Sequence, residues 1–246
     1  MNCWLLGDYS RSMNALAEAL RLAEELKHPL TMVIALWFAA WVHYQRGDRA
    51  ATKGVVERAL TLAEEYAITG WSDTAILLPW ASGAQLSRLE LAELHGQIPR
   101  AASTAWRRVF SRCALVQLYI AAGYFEEGLA VLSEQISAAD RTAFYGPEVH
   151  RLEGELRVKI APSDPDGAEA CFRKALDLAG ARGERSLALR AAMSLAQLWR
   201  SQGMQGEART VLAPAYGSFS EGFDLPELKQ AKVLLDQLAA NSELRS

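Results

Sequence analysis

LALRAAMSLAQLWRSQGMQGEARTVL, residues 187–212, is a helix, a tight turn and a second helix written in sequence. Ala191, Leu195, Ala196 and Trp199 recur at steps of three and four, the period that puts apolar side chains on one face of an α-helix. Gly203 breaks the pattern, and Ala208 and Leu212 carry the apolar face of the next helix. The same order of glycine or polar break, small residue, large apolar residue and alanine-like position returns along the chain. Gly203, Ala208, Leu212 and Ala215 form the last copy, Gly47, Thr52, Val56 and Ala59 an earlier one, and Gly7, Ser12, Leu16 and Ala19 the first. Gly7 and Gly47 are about 40 residues apart, and the same step leads from Gly123 through the turn at Ser163 to Gly203. A repeat of that length predicts an all-α solenoid, in which each hairpin buries its apolar face only against its neighbours.

The sequence divides on this basis into hairpins at roughly 1–28, 29–68, 70–98, 102–140, 145–181 and 184–216, with a C-terminal capping helix at 224–240, all within one repeat domain, 1–246. Helices are expected over 10–26, 30–45, 50–66, 71–85, 86–95, 103–122, 124–138, 148–160 and 168–179, the last stopped by Gly180. Pro79 should kink the helix over 71–85, because proline removes a backbone donor. Pro99 marks a loop, Pro162 and Pro165 belong to a turn, and 241–246 should fray. Asp224 reads as an N-cap with Pro226 in the first turn of the final helix. No segment alternates apolar and polar residues as a half-buried strand does.

Of 246 residues, 50% are hydrophobic and 22% charged, with a net charge of −3 and both signs interspersed. That composition fits a folded soluble protein and offers no basic stripe for nucleic acid. The three cysteines, Cys3, Cys113 and Cys171, match neither a disulfide framework nor a zinc site, which predicts a reducing, cytoplasmic setting. The opening MNCWLLGDYS lacks the basic and apolar regions of a signal peptide. The most apolar segment, 30–42, is about two-thirds of the length that crosses a bilayer, so no membrane partner is expected. The first hairpin is only half present, so that either Trp4, Leu5 and Leu6 leave an apolar face that mediates self-association or docks onto something else, or the chain is a fragment of a larger signalling regulator.

These residues resemble the tetratricopeptide repeat family, whose units carry small residues where the paired helices touch, an aromatic late in the first helix, and a Gly-Asp-Tyr-like turn. Ala196, Trp199, Gly203, Ala208 and Ala215 match in the last repeat, Tyr119, Gly123-Tyr124 and Gly128 in the fourth, and Ala40, His43, Gly47-Asp48 and Ala59 in the second. The copies at 71–100 and 143–180 are weaker. The long period, with GPEVHRLEGEL, DPDGAEACFRKAL, LRAAMSLAQLWRSQG and GFDLPELKQAKVLLDQL, is similar to the C-terminal repeat region of bacterial regulators that join a cyclase or winged-helix output domain to an ATPase. The resemblance implies a right-handed superhelix acting as a scaffold or sensor arm in signal transduction. It brings no catalytic residues.

No phosphate-binding G-x-x-x-x-G-K-[ST], G-x-G-x-x-G, H-E-x-x-H or G-x-S-x-G motif occurs. No catalytic residue, metal ligand or cofactor is expected. Trp37, Trp41 and Tyr44 share one helix face, and Trp80 sits about one repeat later. They read either as an aromatic wall of the concave groove or as ordinary core packing. Glu148, Arg151 and Glu155 share a face one hairpin before Arg190, Gln197 and Arg200, and read either as a polar groove floor or, preferably, as solvated ion pairs. His150 with Glu148 and Glu153 reads as a partly buried structural histidine rather than an acid–base or metal set, and Cys113 and Cys171 as buried small apolar residues. The expected function is a non-catalytic interaction scaffold that takes a peptide or partner protein on its concave face, with aromatic and charged residues as its two ends. The alternative is a ligand-sensing arm that controls an upstream ATPase, cyclase or transcription-output domain.

Overall fold

A computed structural model describes residues 2–98, 104–135 and 145–243. The chain is all-α: 82% is helical, with thirteen α-helices and no strand among the described residues. In order they are α1 (Asn2–Leu5), α2 (Tyr9–Leu26), α3 (Pro29–Arg46), α4 (Arg49–Glu65), a 3-10 turn (Ser72–Ile76), α5 (Leu77–Ser82), α6 (Arg88–Gln97), α7 (Ala105–Ala122), α8 (Phe125–Gln135), α9 (Gly146–Ile160), α10 (Pro165–Arg182), α11 (Arg185–Ser201), α12 (Gln205–Gly217) and α13 (Pro226–Glu243). None of the helices is long and apolar enough to cross a membrane, among the described residues. Two compact units result, one of Ser10–Ile136 and one of Asn2–Tyr9 with Ser137–Ser246.

In the first unit, α3 and α4 pack together, and α3 also touches α5, which in turn touches α7. Ala23, Met32, Ala35, Leu36 and Ala59 form one cluster, bordered by Leu20, Val55 and Leu62. The expected small and apolar positions of the second hairpin are the contact positions: Thr52, Val56 and Ala59 are all buried. In the first hairpin Ser12 and Leu16 are buried, but Ala19 is exposed. Local chemistry sets the helix starts. The Asp48 carboxylate accepts from the Ala51 N–H at 3.0 Å, and Ser87 and Glu90 cap each other's backbone N–H at 3.3 and 2.8 Å. The expected helix over 71–85 is instead a 3-10 turn followed by the six-residue α5. Pro79 therefore lies near the start of a short helix, where its missing donor costs little. The loop around Pro99 and residues 136–138 and 244–246 lie outside the described residues.

In the second unit, consecutive helices from α9 to α13 pack against each other, and α9–α11 and α11–α13 also touch. Ala168, Ala175, Ala179, Ala191, Ala196, Ala208 and Leu212 are fully buried at these contacts. Gly203, at φ +82°, supplies the left-handed turn expected between α11 and α12. Two boundaries differ from expectation. Pro165 opens α10 rather than the turn before it, because the first helical residue needs no donor. α10 also runs through Gly180 to Arg182, and Gly183, at φ +65°, takes the left-handed position. At the other end of the sequence, Trp4 and Leu5 are 2% and 1% exposed, since α1 packs on α11; only Leu6 stays exposed. The open apolar face expected at Trp4-Leu5-Leu6 is thus largely covered within this unit.

Candidate functional site

Glu148, Arg151 and Glu155 stand on one face of α9, one turn apart. Arg151 grips Glu148 with two parallel bonds, Nε to Oε2 at 2.8 Å and Nη2 to Oε1 at 2.6 Å, and its Nη1 donates to Glu155. From α11, Arg190 lies 3.8 Å from the same Glu148 carboxylate, donates from Nε to Glu227 Oε1 of α13 at 2.5 Å, and donates to the Tyr145 hydroxyl at 3.4 Å. Ser194 donates to Glu155 at 3.2 Å. Three carboxylates and two guanidinium groups are thereby joined across α9, α11 and α13.

The network is graded in its access to water. Side-chain exposure is 0% for Glu148, 11% for Arg151, 15% for Arg190, 21% for Glu227 and 33% for Glu155. Burial alone would raise the Glu148 carboxyl, yet the adjoining Arg151 and Arg190 guanidinium groups hold it below the usual carboxylate range. Burial opposes the charge on Arg151 and Arg190 too, and the carboxylates around each overcome it, so both stay protonated. The preferred sequence expectation, solvated surface pairs, is therefore corrected for these residues. Burying such pairs adds little net stability, because desolvation consumes most of the Coulombic gain. What the network fixes is orientation: a bidentate Arg151–Glu148 clamp and a guanidinium shared by three helices.

Gln197 and Arg200, the other two polar candidates, lie further along α11 outside this network. Gln197 is exposed, and Arg200 donates to Gln237 of α13 at the surface. Tyr145, Ser194 and Glu227 escaped the sequence reading, although the step of about 40 residues contained a signal for the last two. Glu155 and Ser194 are 39 residues apart, Arg190 and Glu227 37, close to one repeat.

The aromatic candidates belong to the other unit, and three of them, Trp37, Trp41 and Tyr44, are core. Trp37 and Trp41 are 0% exposed and Tyr44 7%, while Trp80 is half-buried. The four do adjoin, with ring centroids 5.6 Å apart for Trp37–Trp41, 5.6 Å for Trp41–Tyr44 and 4.7 Å for Tyr44–Trp80. The expected open wall is closed by α7, whose Trp106 meets Trp37 edge-on at 5.1 Å and whose Phe110 meets Trp41 at 5.0 Å. Behind them lies a buried ion pair. Asp73 receives the Trp37 indole N–H at 3.3 Å, the Ser111 hydroxyl at 3.1 Å and the Arg107 guanidinium, which also donates to the Gly70 carbonyl at 2.6 Å. Arg107 is stacked 4.1 Å over Trp71. Of the two sequence readings of the aromatic stripe, packing is the one observed.

No protein-family model and no curated protein matches this chain. Among the described residues, no group of three or more His, Cys, Asp or Glu side chains is placed to hold a metal. His150 is half-buried, Cys113 is buried, and Cys171 is only partly so.

Proposed function

We propose that the chain is a non-catalytic interaction scaffold of the tetratricopeptide kind, which receives a peptide or a segment of a partner protein on the face built by α9, α11 and α13. The observation that carries this reading is the charge network continuous through three alternate helices. In a helical-repeat array such helices form one layer, and a partner running along that layer meets the same network at each repeat. The two carboxylates with most access to water, Glu155 and Glu227, are the ones a partner reaches first, while their arginines lie deeper. The face accordingly selects a basic side chain and pre-orients the carboxylates that receive it, with Gln197, Arg200 and Gln237 extending the polar surface. The aromatic candidates support folding of the other unit and take no part in binding.

Selection of a random peptide library on the intact chain tests this. Enriched peptides should carry Lys or Arg, bind more weakly as salt is raised, and lose about tenfold in affinity for each of Glu155→Gln and Glu227→Gln, roughly the effect of 1.4 kcal/mol. Enrichment of peptides whose binding ignores both substitutions would overturn the assignment of this face.

A further inference from the structure

The segment Asn2–Tyr9 is held in the second unit by residues 177 or more positions away. Ser186 Oγ donates to the Trp4 carbonyl at 2.7 Å; its one proton spent there, it accepts from the Tyr9 hydroxyl at 3.1 Å. Arg185 spreads its donors over three acceptors: the Leu6 carbonyl, the Asp8 carboxylate at 2.5 Å and the Ser218 carbonyl at 3.1 Å. The Tyr9 ring lies between Trp4, 4.6 Å away, and Phe219, with which it is stacked at 5.9 Å and 6°. Two glycines admit this approach. A Cβ on Gly222 would lie 2.3 Å from the Tyr9 ring, and one on Gly7 would lie 2.9 Å from Phe219, and both residues have φ near +80°.

The segment is held from the surface beneath it by side chains distant in sequence, as a bound peptide is. The contacts are those of peptide recognition: two buried aromatic anchors, captured backbone carbonyls, and an arginine forked onto a carboxylate. The arginine–carboxylate pair keeps access to water, with Arg185 34% and Asp8 40% exposed, so it can exchange.

We propose that the surface formed by Arg185, Ser186, Ser218, Phe219 and Gly222 is a receptor for a short peptide of the pattern Trp-Leu-x-Gly-Asp-Tyr, and that Asn2–Tyr9 is its displaceable resident ligand. The site uses none of the carboxylates assigned to the basic partner and stands independently of that assignment. Its partner in trans is a protein segment that presents an aromatic residue, a left-handed glycine, an aspartate and a tyrosine in the same order.

The test uses the full chain. Trp4→Ala/Tyr9→Ala should vacate the site, and a fluorescent synthetic peptide of residues 2–10 should then bind saturably. Its affinity for the wild-type chain should be at least tenfold weaker, because the resident segment competes, and adding Arg185→Ala to the vacated chain should abolish binding. Absence of saturable binding to a folded vacated chain, or equal binding with and without Arg185, overturns the proposal. Hydrogen exchange on the single variant Arg185→Gln decides the matter if the vacated chain fails to fold. The amides of Leu6, Gly7 and Asp8, bonded to Asn2, Trp4 and Cys3, should lose at least tenfold in protection while α10 and α12 keep theirs. Unchanged protection of those amides, or loss throughout the unit, refutes a displaceable segment.

Discussion

Replacing Gly154 by alanine tests how closely α9 and α10 are required to approach. Gly154 is buried in mid-α9 opposite Phe172. A Cβ there would lie 2.5, 2.7 and 3.0 Å from Phe172 Cε1, Cδ1 and Cζ. Carbon atoms prefer about 3.5–4.0 Å, so the deficit is on the order of 1 Å across three ring atoms. Phe172 is 2% exposed, and its ring has no route to solvent. Overpacking of this kind costs about 1–3 kcal/mol, whereas Gly→Ala in a helix interior returns about 1 kcal/mol of helix propensity. With three contacts this short the steric cost prevails, for a net loss of about 1–2 kcal/mol. In a chain of this size that lowers Tm by roughly 2–8 °C. Gly180→Ala in α10 is the matched control, since nothing lies within 4 Å of its Cβ position; it should gain up to about 1 kcal/mol. Thermal and urea unfolding followed by far-UV circular dichroism would measure both. Phe172→Leu combined with Gly154→Ala should recover part of the loss, a coupling that additive behaviour would exclude. If Gly154→Ala is as stable as the wild type, the glycine does not set the helix spacing and the close-contact account fails.

Two further outcomes follow from burial. Trp41→Ala should cost about 3–5 kcal/mol in unfolding free energy, as for large aromatic truncations in a core. Trp41→Phe should cost much less, because it removes an indole N–H that is buried without a hydrogen-bond partner among the described residues; equal stability of Trp41→Ala and wild type would return the residue to a groove. Glu184 is 7% exposed with Oε2 buried and unbonded among the described residues, and burial holds its carboxyl above the usual range against the opposing pull of Arg182. A raised folded pKa means that its contribution is favourable below the unfolded value of 4.5 and is lost as pH rises through the folded value. Glu184→Gln should therefore stabilise the chain at pH 7 by about 1 kcal/mol, with the gain shrinking as pH falls through the raised folded value and gone below about 4.5; a pH-independent gain in urea unfolding would contradict that cause.

The helices were legible because their determinants are local. Period, caps and glycine turns act within a few residues, so α2, α3, α4, α11 and α12 lie close to where their patterns place them. The repeat step likewise marks which positions pack, as the buried Thr52, Val56, Ala59, Ala208 and Leu212 illustrate. Where a local signal was ambiguous, the boundary moved: Pro165 and Gly180 are both compatible with a helix continuing or stopping, and α10 starts at the one and runs through the other to the left-handed Gly183.

Which way a face points is a different matter, since a helix carries no label for what covers it. Trp37, Trp41 and Tyr44 share a face in any helix, but it is the aromatic residues of α7, with Trp71 and Trp80, that turn that face into core. Glu148, Arg151 and Glu155 have the same spacing as solvated pairs, and the arrival of Arg190 and Glu227 from helices one and two repeats away makes them a buried network. Trp4 and Tyr9 find Ser186 and Phe219 only across most of the chain's length. The sequence by itself determined the helices, their period and the residues that share each face, because backbone hydrogen bonding and side-chain spacing are local. Only the tertiary structure decided which of those faces keep their water, because desolvation depends on every group that closes over a side chain, however distant in sequence.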